Sequence, residues 1–263
     1  FFKAQKIYGA EAYIGGFSGY ALECLIIHFR SFEKMLKILS NAESRLIIDP
    51  EKHYKKKENI FIEINEAKLK SPIVLVDPTW KERNVLAALN EETFSRFKEA
   101  AKKYLSNPAI DLFEDMKDET ETIRKVAKKN SAEFINLVLK TDRQEGDIAG
   151  TKMKKFSRYL LNELGKYFLI IASSFKYEKG KEAVFCIALK SKKEIIRNGP
   201  PAEMQKESRA FKKANKNVFE KGGNYYARIK IDFSAMSFLK EFSDKQKDKM
   251  NEMGIVDINI KGD

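Results

Sequence analysis

The chain has 263 residues, 43% apolar and 33% charged, enough for two domains with real cores. No apolar run reaches the eighteen or so residues of a membrane span and no signal peptide opens the chain, which excludes those classes and fits a cytoplasmic protein. The net charge is +12, and it is unevenly spread: residues 1–115 hold 18 Lys and Arg against 17 Asp and Glu, whereas 116–263 hold 32 against 21. An excess confined to one region indicates a polyanion-binding surface there, against the plainer reading of a lysine-rich proteome decorating every solvated face. Cys24 and Cys186 each sit inside an apolar run with no CxxC, so both read as buried free thiols and no metal site is expected.

The chain opens FFKAQK without a methionine, and Phe1, Phe2 and Ala4 read as the end of a helix, so further sequence is expected upstream. Gly9, Gly15, Gly16 and Gly19 then feed a tight loop into an apolar stripe, with Ser18 as N-cap. Leu22, Leu25, Ile26, Phe29, Phe32, Met35, Leu36 and Leu39 recur at helical spacing, predicting one long core helix. A glycine loop ahead of a helix can cradle a phosphate, although most such loops only make a turn. Beyond it, IIDP reads as strand and turn, Lys55–Lys57 as a solvated loop, and the alternating IFIEI at 60–64 as a strand. SPIVLV at 71–76 is a compact strand ended by Asp77-Pro78, and Glu91–Leu105 an amphipathic helix closed by Asn107-Pro108. These elements make a first, mostly helical domain over 1–115.

Composition turns basic near 106–117, and the element types change with it. The second domain, 116–263, is predicted as a helix over 118–129, a strand over 132–139, a polar loop over 143–150 and a helix over 151–166. A hairpin of FLIIASSF and AVFCIAL follows, then an Asn198-Gly199-Pro200-Pro201 break, a helix over 202–219, a strand over 225–233 and a last helix over 237–250. The fold class is therefore α+β, with an antiparallel sheet in the second domain and helices on one of its faces.

The 202–219 helix carries the sharpest basic pattern. Lys206, Arg209, Lys213 and Lys216 are spaced to share one face, while Met204, Phe211 and Val218 recur on another, so the helix can lie along an RNA backbone. Lys152, Lys154, Lys155 and Arg158 form a second cluster. Tyr225 and Tyr226 have the chemistry to stack on unpaired bases, although aromatics at strand spacing more often fill a core.

Two blocks carry a family resemblance. IYGAE followed by GFSGY and its apolar helix, then VDPTWKERNVLAAL at 76–89, resemble in order the signatures of the archaeal-type CCA-adding enzymes, the tRNA nucleotidyltransferases, and weaker similarity continues through most of the chain. That resemblance implies addition of C, C and A to the 3′ end of tRNA from CTP and ATP, with Mg2+ held by paired carboxylates in a head domain. Such carboxylates follow a Gly-Ser loop, and this sequence has no Gly-Ser dipeptide. Glu119-x-Glu121 has the spacing but reads as an acidic helix start, so no catalytic residue is expected in this chain. The chain thus looks like the neck, body and tail of such an enzyme, with the head a separate subunit or removed.

By the same resemblance, Tyr8 matches the tyrosine that contacts the nucleotide triphosphate, and Arg83 the arginine that reads the base edge; on pattern alone Arg83 beside Glu82 is an ordinary ion pair. Asp77 and Asn84 are expected to hold the loop. The implied partners are the catalytic head and the acceptor stem and elbow of tRNA, gripped by shape and backbone. Trp80, Leu86 and a shorter C-terminus depart from the family pattern. Two other readings stand beside this one: a stand-alone RNA-binding protein that lost the chemistry, and a scaffold related to poly(A) polymerases. An exposed apolar patch on the first helix and around Tyr8 would favour the first reading.

Overall fold

Ser18 closes the glycine loop and starts the first helix, accepting a hydrogen bond from Ala21 N at 3.1 Å. The computed structural model describes residues 1–56, 58–114 and 119–261, grouped in two compact units, Phe1–Lys117 and Asp118–Asp263. Lys57, the 115–118 stretch with the expected domain boundary, and the last two residues lie outside the described residues.

In the first unit, the predicted long helix is two helices, α1 (Gly19–Phe29) and α2 (Phe32–Ser40). Arg30 adopts φ 59°, a left-handed cap whose N–H bonds Ile26 O, and Ser31 caps α2. The apolar stripe continues across the break because both helices face one core, so periodicity alone could not show the turn. Residues 2–6 form turns rather than a helix end.

Strand β1 (Leu46–Ile48) pairs in parallel with β2 (Ile73–Leu75). The IFIEI stretch is not a strand: it falls in α3 (Glu58–Glu63), which runs on to a buried Ile64. Ile60 and Ile64, four apart, pack on Val74 and Val76, while Phe61 and Ile62 are exposed, so the helical period prevails over the alternating one. Ile73 and Leu75 face the opposite way, into the core shared by α1, α2 and α4 (Glu91–Ser106). Phe2, Phe17 and Phe97 form its centre, with Phe2 stacked on Phe97 at 5.7 Å and Phe17 5.1 Å from both rings.

The second unit opens with α5 (Glu119–Lys129), followed by β3 (Glu133–Lys140), α6 (Asp147–Gly165), β4 (Phe168–Lys176) and β5 (Glu182–Ser191). Helix α6 thus begins inside the stretch predicted as loop. A last strand, β9 (Asp257–Lys261), completes an antiparallel sheet in the order β4-β5-β3-β9. Its short DINI alternation gave little sequence signal. Helices cover both faces of this sheet, not one. On one side α5 packs Ile123 and Ala127 against Cys186 and Ala188, and Glu119 accepts from Ser174. Phe175, which points the other way opposite Phe185, lies under Lys154 of α6.

The chain then builds a small antiparallel sheet, order β6-β8-β7, from β6 (Glu194–Pro201), β7 (Val218–Lys221) and β8 (Asn224–Lys230). The Asn-Gly-Pro-Pro segment belongs to β6, with its irregularity between Asn198 and Pro201, instead of breaking the chain. Helix α7 (Gln205–Ala214) is much shorter than predicted, because Val218 and Phe219 pair with β8. The last predicted helix is α8 (Ala235–Lys245) and α9 (Lys247–Glu252).

Candidate functional site

Close backbone packing is the use the glycine loop serves. Gly9 N donates to Phe17 O at 2.8 Å, Gly16 N to Gly9 O at 2.8 Å and Phe17 N to Ile7 O at 2.9 Å, so residues 7–9 lie beside 15–17. A Cβ on Gly16 would stand 2.3 Å from Ile7 O. These N–H groups are spent inside the loop and cannot cradle a phosphate. The same pairing sets Tyr8 over the start of α1, its hydroxyl 3.1 Å from where a Gly19 Cβ would be, with the Lys3 ammonium over its ring at 5.2 Å.

The next residue of that helix reaches the second block. Tyr20 Oη donates to Asp77 Oδ1 at 2.8 Å, and both the backbone N and the hydroxyl of Thr79 donate to the same oxygen at 2.8 Å. Arg83 Nη1 lies 3.4 Å from Asp77 Oδ2, and its guanidinium sits 5.8 Å above the Tyr20 ring. The Asp77 side chain is 1% exposed and that of Arg83 is 53% exposed. Burial alone would raise the Asp77 pKa; the Thr79 N–H, the Tyr20 and Thr79 hydroxyls and the Arg83 charge outweigh it, and the carboxyl lies below its ordinary value. The bond to Asp77 is in turn the leading cause that raises the Tyr20 phenol.

The loop that carries Arg83 is closed by Asp77 N to Arg83 O at 3.0 Å and Arg83 N to Trp80 O at 3.0 Å. Asn84 locks it from behind. Its Oδ1 accepts from Leu75 N and Leu86 N, and its Nδ2 donates to Lys68 O and Ser71 Oγ, all four bonds of a buried amide being made. Tyr54 Oη holds Lys81 O at 2.8 Å and His53 Nε2 meets Pro78 O at 3.0 Å. The result is a fixed loop presenting a half-exposed guanidinium and an exposed Trp80, beside Tyr8 and Tyr20.

Tyr8 and Arg83, far apart in sequence, therefore border one helix start. Tyr20 is legible in the sequence only as the last letter of the GFSGY block, and nothing local signals a partner 57 positions on. A separate cavity of ≈ 370 Å³ in this unit, lined by His28, Ile47, Asp49, Lys52 and Tyr54, lies under α3.

The basic candidates fall in the second unit. On α7, Lys206, Arg209 and Lys213 are exposed on the side opposite Ser208 and Phe211, the latter packed on Gly199. Lys216 lies past the helix end and does not extend that row. Of the α6 cluster, Lys155 and Arg158 are exposed, Lys154 lies over the Phe175 ring at 5.2 Å, and the Lys152 stem passes close to Gly254. Glu119 and Glu121 open α5, bonded to Ser174 and paired with Arg124 at 3.6 Å. Among the described residues no group of three or more His, Cys, Asp or Glu could hold a metal ion, and no helix is long and apolar enough to cross a membrane.

The chain is thus α+β, with Tyr8 and Arg83 bordering one helix start in the first unit and the charge excess in the second. Comparisons with known proteins add a family likeness. Residues 1–114 match the family described as tRNA nucleotidyltransferase, second domain. The chain is 28% identical over 243 residues to the CCA-adding enzyme of Nanoarchaeum equitans, covering 92% of this chain and 58% of that protein. It is 29% identical over 257 residues to that of Picrophilus torridus, covering 97% and 56%. With the CCA-adding enzyme of Pyrococcus abyssi it shares 33% identity over 172 residues, 62% of this chain and 37% of that protein. The chain spans little more than half the length of the curated relatives it matches over most of its own.

Proposed function

We propose that this chain is the nucleotide-recognition and tRNA-binding portion of a CCA-adding enzyme, which adds C, C and A to tRNA from CTP and ATP. The observation that carries the reading is the Asp77-anchored loop, which holds the Arg83 guanidinium over Tyr20 beside Tyr8 inside the matched segment. In this reading the free edge of the Arg83 fork faces the incoming base, and Tyr8 borders the triphosphate. The exposed cations of α6 and α7 track the tRNA backbone.

Glu119 and Glu121, the pair with carboxylate spacing, are engaged at the start of α5; in this reading the Mg2+-binding carboxylates are those of a head domain supplied in cis or trans. Tyr8 and, on α1, Tyr20, Ile26 and Ile27 are each exposed, Ile27 to 73%, apolar area that such a neighbour would cover in this reading. This favours the enzyme reading over a stand-alone RNA-binding protein.

The test is CCA addition by this chain, alone and mixed with a head polypeptide, on tRNA lacking its terminal CCA with Mg2+ and labelled CTP and ATP. Incorporation in the mixture, with loss of base selection in Arg83→Ala, supports the reading. Salt-sensitive tRNA binding without incorporation in any mixture would leave an RNA-binding module and overturn it.

A further inference from the structure

The β6-β8-β7 sheet has two unlike faces. Along β8 the side chains alternate, and Tyr225, Ala227 and Ile229 turn toward α7, where Lys212 covers the Tyr225 ring at 4.0 Å and Ala227 is fully buried. Asn224, Tyr226, Arg228 and Lys230 turn the other way. Register places Phe219 opposite Tyr226, Lys221 opposite Asn224, and Ile196 opposite Arg228 on that same face. There Phe219 and Tyr226 stack at 5.5 Å with 23° between their planes, and the Arg228 guanidinium lies 5.2 Å from the Phe219 centroid. Ile196, an aliphatic side chain in the middle of this face, is 58% exposed.

Such a surface needs an explanation. A two-layer unit requires one apolar face, and the α7 side supplies it. A second face bearing a partly buried aromatic pair and an exposed isoleucine costs solubility unless something covers it. Lys221, Arg228 and Lys230 share this face with the rings, and among the described residues none of the three is in an ion pair. The only acidic side chain that register puts with them is Glu194, opposite Lys230. Rings interleaved with unpaired cations suit a ligand that brings flat π-faces and negative charge together.

The geometry points to this face as a stacking platform for unpaired nucleotides of an RNA. Phe219 and Tyr226 take the exposed bases, and Lys221, Arg228 and Lys230 the flanking phosphates. Paired bases in a duplex present no free face to a ring, so the platform selects loops or single-stranded ends. It lies on the opposite side of the unit from the Lys206, Arg209 and Lys213 row, so platform and row contact different parts of an RNA. The inference rests on the RNA-binding reading given above and adds to it a place and a chemistry.

The test measures binding of the whole chain to a short oligouridylate carrying one 2-aminopurine, to an RNA duplex of equal length and to tRNA lacking CCA. Phe219→Leu and Tyr226→Leu keep the apolar bulk, and circular dichroism confirms their fold. Each is expected to weaken oligouridylate binding roughly 5- to 100-fold, to reduce the quenching of 2-aminopurine, and to leave duplex affinity unchanged; Tyr226→Phe binds as the parent does. If the leucine variants bind oligouridylate like the parent while tRNA binding is intact, the platform is refuted and the RNA reading stands. If the parent binds none of the three RNAs, both fail. Self-association of the parent that the leucine variants abolish would assign the face to a protein contact instead, and overturn the proposal.

Discussion

Tyr20 and Asp77 are joined by a 2.8 Å hydrogen bond that ties the first turn of α1 to the loop carrying Arg83. The carboxylate is buried, and every partner it has, Thr79, Tyr20 and Arg83, belongs to one of those two segments. Asp77→Asn keeps one oxygen for the three donors that Oδ1 serves, but it loses the charge that strengthens those bonds and turns an NH2 toward the Arg83 guanidinium. Asp77→Asn is expected to cost about 1–3 kcal/mol, read as a lower urea midpoint with an unchanged m-value.

The pH dependence of stability follows from the same residue. The Asp77 pKa is lowered in the folded protein, so the carboxylate contributes stability above its unfolded value, near about 4, and that contribution is lost as pH falls through the folded value. Urea midpoints of the parent should drop more steeply on acidification below this range than those of Asp77→Asn. Parallel curves would show that Asp77 is not the group responsible.

Arg83 contributes little to this anchor. Its ion pair is long and its side chain half exposed, so Arg83→Ala should change stability by less than about 1 kcal/mol, while base selection is lost in the reconstituted reaction. A large fall in melting temperature would make Arg83 a structural residue.

Gly16 has no room for a methyl group. Its Cβ would overlap the Ile7 carbonyl, which is backbone and cannot swing aside, so Gly16→Ala should cost about 1–3 kcal/mol or more and loosen Tyr8 over α1. Gly165→Ala, where nothing lies within 4 Å, is the control expected to stay near the parent.

The α7 row is tested by salt. If Lys206, Arg209 and Lys213 each neutralise one phosphate, the triple alanine variant should reduce the slope of log K against log salt by about 2 to 3. Lys216→Ala, beyond the helix, should reduce it by less than one residue of the row does.

Much of the chain was legible because its signals are local. Ser18, the stop at Asn107-Pro108 and the hairpin around Gly180 are written in caps, breakers and alternation, and the two motif blocks mark the segments that meet at the site. The sequence by itself thus determined the α+β class, the separation of charge between the two parts, and Tyr8 and Arg83 as residues to watch. Only the tertiary structure decided which period prevails where two coexist. Ile60 and Ile64, four residues apart, are helical because that spacing sets both against Val74 and Val76. The 202–219 helix stops at Ala214 because Val218 and Phe219 find partners on β8. Tyr20 and Asp77, or the two faces of a three-stranded sheet, are decided by contacts between distant positions, and no local pattern of side chains encodes a partner that only folding brings near.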